Sequence, residues 1–268
     1  MRNSSRIFTG KRSKMRGLVL LAPLLFLVFS KLQAQDKDLD SLFSVANELY
    51  RQESYLEALE RYQEIEAMQM ESWELYYNMA NVYYKTNQVA PSIYYYEKAL
   101  VLQPNNKDIR HNLEFANQMI LDNIEPLPKS LWQKFMDGVI LKFTYETWAK
   151  IAVSLAFLFA LLFLLYHFSY GTATKRFFFI ASIFTVLVVT TSLFFAYRNY
   201  HYVQSNKEAV IFARQADVRN APTRSSEVYF ELHEGTKVLV LESLENWRKI
   251  RIADGKIGWI DQDNLREI

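Results

Sequence analysis

The stretch FFFIASIFTVLVVTTSLFFAY, residues 177–197, runs 21 positions without a charge, and IAVSLAFLFALLFLLYH, residues 151–167, stands just before it. At 1.5 Å per residue, each has about the length a helix needs to cross roughly 30 Å of hydrocarbon. The alternative is a buried core helix, but hydrophobicity on every face, twice in succession, favours a spanning pair. Residues 148–200 are therefore read as a two-helix transmembrane hairpin whose partner is membrane lipid. The segment between the runs, residues 168–176, carries Lys175 and Arg176. Short positive loops stay on the cytoplasmic side. Both flanking parts of the chain are then expected outside, with Lys150 and Arg198 on the outer ends as modest opposition. Trp148, Tyr166, Tyr197 and Tyr200 suit interfacial aromatic belts.

Residues 1–34 read as a secretory signal: a basic stretch ending at Arg16, an apolar run over 17–30, and small Ala34 before Gln35. An uncleaved anchor is the alternative, and Met15-Arg16 offers a second start. This segment holds seven of the 31 Lys and Arg and none of the 29 Asp and Glu, so the +2 of the whole chain becomes −5 without it. That sign disfavours nucleic acid as a partner, because such binding rests on neutralising phosphates. The mean hydropathy is only −0.10 although half the residues are hydrophobic, so the apolar residues are clustered.

Residues 39–72 and 73–106 repeat at a spacing of 34. Val45-Ala46 matches Met79-Ala80, Leu49-Tyr50 matches Tyr83-Tyr84, Ala58 matches Ser92, Tyr62 matches Tyr96 and Ile65 matches Ala99. The pattern resembles the tetratricopeptide repeat: small residues where paired helices approach, aromatics in the gaps, and a proline (Pro104) closing the second helix. Asn87 stands where the turn prefers glycine, Pro91 falls in a first turn that tolerates it, and the first unit has Met70 in place of the closing proline. A further amphipathic helix begins at Lys107, with Ile109, Leu113, Ala116 and Ile120 on one face. Residues 35–123 are thus expected to form a short helical solenoid. They carry 15 acidic against 7 basic residues.

The resemblance implies a concave groove lined by the first helix of each pair. By register it holds Asn47, Tyr50 and Arg51, with Asn78, Asn81, Tyr84 and Lys85. Two cations among amides suit a peptide carboxylate, although Phe43 stands where such clamps usually carry lysine; an ordinary solvated helix face is the alternative. Residues 124–147 are a membrane-proximal segment. Within them LWQKFMDGVILKF, residues 131–143, fits an amphipathic helix on the outer leaflet or an ordinary packed helix.

After Asn206 short β-rich runs alternate with turns: 209–213, 217–219, 227–232, 237–242, 247–252 and 256–260. Asp254-Gly255 marks a tight hairpin. The words Ala216-Asp217-Val218-Arg219-Asn220-Ala221-Pro222, Glu234-Gly235-Thr236-Lys237-Val238 and Gly255-Lys256-Ile257-Gly258-Trp259-Ile260 resemble a bacterial SH3 domain over residues 207–268. Val218 and Ile260 should point inward, Gly235 and Gly255 should take turn conformations, and Gly258 should permit close strand crossing. Trp247 and Trp259 are candidates for an aromatic platform, or simply the large residues of a small core.

No catalytic grouping stands out. The chain lacks cysteine, its four histidines (His111, His167, His201, His233) are scattered, and it has no Gly-x-Ser-x-Gly, His-Glu-x-x-His or phosphate-cradling loop. No enzyme activity, metal or cofactor is expected. The fold class is thus a multidomain membrane protein: an α-helical solenoid of tetratricopeptide type, two transmembrane helices and a C-terminal all-β barrel of SH3 type. In that succession, with the Asn112-Leu113-Glu114-Phe115-Ala116 helix ending the repeats, the chain resembles the BatE-like family of bacterial aerotolerance operons. The resemblance implies a non-enzymatic scaffold on the periplasmic side of the inner membrane, partnered by von Willebrand factor A-type membrane proteins and linked to oxidative stress. The alternative is a module that binds peptidoglycan peptides through the SH3 domain.

Overall fold

The computed structural model describes residues 39–268, so the expected signal at 1–34 lies outside them. The chain forms two compact units, divided after Met70.

In the first unit a helix whose described part covers residues 39–51 (α1) pairs with α2 (Tyr55–Ala67). Ala46, Ala58 and Tyr62 are fully buried between them. The Tyr62 hydroxyl donates to Asn47 Oδ1 at 2.6 Å, and the Tyr62 ring meets Phe43 edge-on at 5.9 Å.

The second unit begins with the same device. Helix α3 (Trp73–Lys85) is capped by Ser72, whose hydroxyl accepts from the Leu75 amide at 3.1 Å. Helix α4 (Val89–Leu102) returns against it. Ala80 and Ser92 let the two approach, and the buried Ser92 hydroxyl donates to the Ala80 carbonyl at 3.1 Å. Tyr96 donates to Asn81 Oδ1, repeating the Tyr62–Asn47 bond 34 residues on. Glu53 and Asn87, again 34 apart, both take left-handed backbone at φ 62° and 58°. The turn therefore keeps the geometry glycine prefers without glycine, at a cost of about 1–2 kcal/mol. Pro91 sits in the first turn of α4, where its missing N–H breaks no helical bond. Helix α5 (Lys107–Asn117), capped by Asn106, packs Ile109, Leu113 and Ala116 inward.

Between α5 and the apolar helices lie a short helix α6 (Leu131–Phe135), started by a Ser130–Gln133 capping box, and a π-helical turn over Met136–Ile140. Met136 and Ile140 are buried, while Leu131 and Trp132 face outward at 85% and 54% exposure. The segment is thus packed on one side and apolar on the other, combining features of both readings of 131–143.

Helices α7 (Tyr145–Phe168) and α8 (Thr172–Ser205) form an antiparallel pair, each long and apolar enough to cross a membrane. Few of their apolar side chains are buried, unlike those of a soluble core helix. Polar residues fasten the pair to each other and to the segment that precedes α7. Ser192 donates to the Trp148 carbonyl at 3.0 Å, Trp148 Nε1 donates to the Ile140 carbonyl at 2.9 Å, and Asn199 Nδ2 bonds the Ile140 and Phe143 carbonyls at 3.1 and 2.6 Å. The connection is shorter than the sequence suggested. Lys175 and Arg176 lie inside the first turns of α8, because the Gly171 carbonyl already accepts from the Lys175 amide at 2.9 Å.

The C-terminal sheet comprises β1 (Lys207–Ile211), β2 (Gln215–Arg219), β3 (Val228–His233), β4 (Lys237–Leu244), β5 (Trp247–Arg251), β6 (Ile257–Asp261) and β7 (Leu265–Glu267). The order is β3-β2-β6-β5-β4-β1-β7, antiparallel throughout. Ile211, Val218, Leu232, Ile250 and Ile260 fill its core, and Ile124 packs against it from outside the sheet. Gly235 and Gly255 turn at φ 89° and 93°. At Gly258 a Cβ would stand 2.4 Å from Val218 Cγ1 and 3.1 Å from the Arg219 carbonyl oxygen, so the strands cross there only because no side chain intervenes.

Candidate interaction sites

The groove residues expected from the sequence are placed as follows. In the first unit Asn47 and Tyr50 are half-buried on α1, and Arg51 is exposed. The Asn47 oxygen is engaged by Tyr62, Tyr50 meets Tyr55 edge-on at 5.4 Å, and Arg51 pairs with Glu48 one turn back. A hydrogen bond from Gln52 and the charge of Arg51 hold Glu48 below the usual carboxylate range. In the second unit Asn78, Asn81 and Tyr84 are half-buried on α3, and Lys85 is exposed at its end. Asn81 Oδ1 accepts from both Tyr96 and Asn112, the latter at 2.9 Å, and Asn112 also reaches the Tyr77 hydroxyl at 2.9 Å. The two asparagine oxygens thus tie helices together in addition to any ligand contact.

On the barrel, register puts Trp247 opposite Asp261 and Trp259 opposite Lys249, so all four share one face of β5 and β6. Both indoles are half-buried. Trp247 enters the wall of a cleft of about 480 Å³ together with Asp217, Arg219, Arg224 and Asp261. Trp259 lies outside that wall, with the Lys249 ammonium 5.6 Å from its ring centre. Arg219 pairs with Asp217 at 2.6 Å and Arg224 with Asp261 at 3.7 Å. The cleft therefore offers one indole and both signs of charge.

A third arrangement had no signal in the sequence. The turn after β3 seats on the repeat: a Cβ at Gly235 would fall 2.9 Å from Ile93 Cδ1 and 3.0 Å from Val89 Cγ1, so a side chain there would crowd α4, and the φ of 89° favours glycine as well. Asp122, just beyond α5, accepts from the His233 amide at 2.8 Å and from the Thr236 hydroxyl at 2.6 Å, and lies 2.7 Å from His233 Nδ1. Burial works against the Asp122 charge, but these hydrogen bonds outweigh it and hold the carboxyl below its usual range. Nearby, Lys237 lies 2.9 Å from Glu97 and 2.7 Å from Glu208. Burial raises the Glu97 carboxyl; Lys237 offsets part of this, and Glu208 adds to it. For Lys237 burial is opposed and overcome by the two carboxylates, which hold its pKa above the usual lysine value. Tyr94 meets Phe212 edge-on at 5.6 Å, and the Leu127 amide donates to the Ala253 carbonyl at 3.0 Å. Apart from Lys237 and Glu208, these partners lie more than a hundred residues apart and carry no local pattern, so only the fold brings them together.

The barrel occupies the α4 face that carries Val89, Ile93 and Glu97. Among the described residues no three of His, Cys, Asp and Glu gather as metal ligands would.

Comparison with known families places two of these parts. Residues 73–106 match the tetratricopeptide repeat, and residues 213–267 match the bacterial SH3 domain. No curated protein matches the chain. The fold is thus a helical array of tetratricopeptide type, two apolar helices of spanning length and a barrel of bacterial SH3 type.

Proposed function

We infer that the chain is a membrane-anchored scaffold on the outer face of a bacterial inner membrane, holding partners of an envelope complex. One observation carries this reading. The second repeat and the barrel, two folds typical of binding, are locked by Asp122, Lys237 and Gly235 into one body at the same end of the apolar hairpin. A rigid pair of binding modules at one height suits assembly of a complex better than independent tethering. The first-helix faces of the repeats are the proposed partner surfaces: Asn47, Tyr50 and Arg51 in one, Asn78, Asn81, Tyr84 and Lys85 in the other. The domain limits 35–123, 124–147, 148–200 and 207–268, a cleaved signal before them, and a BatE-like role in aerotolerance beside von Willebrand factor A-type proteins belong to this proposal.

Co-purification of the full chain from solubilised membranes tests it. Stable companions that are lost on Lys85→Glu are expected, and a lone monomer from native-level expression refutes it. A second reading, capture of peptidoglycan peptides, draws support from the mixed-charge cleft beside Trp247, since such peptides carry both amines and carboxylates. Retention of the full chain on purified sacculi, abolished by Trp247→Ala, would favour that reading.

A further inference from the structure

Repeat, hairpin and barrel do not close fully on one another. Between the end of α4, the entry to α7, the last turns of α8 and β1 lies a cavity of about 430 Å³, within the range of small-molecule sites. Its walls are largely aliphatic and aromatic: Leu100, Val101, Leu141, Phe143 and Val203. Val101 and Val203 remain 52% and 43% exposed, so the opening itself is apolar. The charged groups are unevenly matched. Of the charged side chains in the wall, Glu97 (13% exposed), Glu146 and Glu208 are carboxylates and Lys207 is the cation; Lys237 bridges Glu97 and Glu208 from outside the wall, Lys150 lies 4.0 Å from Glu146, and Glu267 lies 3.8 Å from Lys207.

The cavity's position narrows the ligand. It is bounded by Tyr145 and Glu146 in the first turn of α7 and by Asn199, Tyr202 and Val203 beyond the uncharged run of α8. This is the level at which a spanning hairpin leaves the hydrocarbon, so the inference rests on the membrane reading. An apolar opening at that level faces acyl chains and head groups. Three carboxylates and one lysine in the wall match a head group that carries both an ammonium and a phosphate. A purely anionic head group would meet like charge, and a quaternary amine has no N–H to donate.

We propose that this cavity binds a phospholipid with a primary-amine head group of the phosphatidylethanolamine type. The ammonium faces the Glu97–Glu208 side, the phosphate faces Lys207, and the start of an acyl chain lies against Leu100, Phe143 and Val203. Such a ligand adds a cation on the carboxylate-lined side of the cavity.

The test is native mass spectrometry of the full chain in detergent, titrated with phosphatidylethanolamine, phosphatidylglycerol or phosphatidylcholine of identical chains. The expected result is a one-to-one phosphatidylethanolamine adduct at least tenfold more abundant than either other lipid gives. Val101→Phe and Val203→Phe, which fill the opening from exposed positions, should each reduce it about tenfold, whereas Val153→Phe on the outer face of α7 should not. Equal adducts of all three lipids, or an adduct indifferent to both filling variants, overturns the proposal. If one filling variant fails to fold, the other and the head-group ranking still decide. Carbonate extraction separates the two levels: a chain released from membranes refutes the membrane reading itself, whereas one that stays embedded without lipid preference refutes only the site.

Discussion

Replacing Asp122 with alanine removes the acceptor that holds the His233–Thr236 turn against the repeat. Its side chain is 11% exposed and engages the His233 amide at 2.8 Å, the His233 ring at 2.7 Å and the Thr236 hydroxyl at 2.6 Å. Hydrogen bonds to a charged group contribute roughly 1.5–3 kcal/mol each, and a buried donor left without a partner costs about 1–3 kcal/mol. These terms do not add, because the three bonds share one acceptor and water can reach part of the vacated space. A loss of about 3 kcal/mol in the docking of barrel on repeat is the working figure, and about half of that for Asp122→Asn, which keeps an acceptor oxygen. Hydrogen exchange of the full chain in detergent reads this directly, since protection reports the free energy of local opening. A change of 3 kcal/mol corresponds to exchange faster by on the order of 100-fold. The acceleration should appear at the His233 amide and also at the Leu127 amide, bonded to Ala253, because one opening exposes both. Amides within α3 serve as the control and should not change. If exchange at both probes stays within about twofold of the parent, the latch is not what joins the two modules and the reasoning fails.

Two further outcomes are expected. Gly258→Ala forces a Cβ to 2.4 Å from Val218 Cγ1 with the Arg219 backbone behind it, so the crossing must open; a loss of about 1–3 kcal/mol should appear in thermal unfolding of the barrel, and an unchanged midpoint would contradict the packing described. Stability should also vary with pH in opposite senses at two carboxyls. Glu97 is raised above its ordinary 4.5, so its stabilising effect is complete below that value and is lost as pH rises through the folded value. Asp122 is lowered below its ordinary 3.8, so its contribution holds above that value and is lost as pH falls further. Midpoints measured across the acid range should therefore lose the upper arm in Glu97→Gln and weaken in the lower arm in Asp122→Asn; two parallel profiles would contradict the assignment.

What the sequence revealed and what it withheld follow from distance along the chain. The 34-residue spacing exposed the repeat because its contacts are local: Tyr62 to Asn47 and Tyr96 to Asn81 each span 15 positions, and both bonds recur in register. The barrel was readable from glycines whose backbone or close packing admits few substitutes, Gly235, Gly255 and Gly258. Strand β7 escaped because three residues after a polar turn show no alternation; it is held by pairing with β1, more than fifty positions earlier. The loop reading of Lys175 and Arg176 failed because charge marks the end of an apolar run, not the end of a helix. Of the site, single side chains on a helix face or strand were legible. The Asp122 latch and the Glu97–Lys237–Glu208 cluster were not, since each charge taken alone reads as an ordinary surface residue.

Helix α8 is 34 residues long, about 51 Å at 1.5 Å per residue, and only Asn206 separates its last turn from β1. Such a connection transmits torque. Adding one residue between Tyr197 and Ser205 would turn the attached barrel by about 100° around the helix axis and lift it by about 1.5 Å, tearing the Gly235 turn from α4. The azimuth at which the barrel meets its neighbours is therefore set by a count of residues in the rod that carries it.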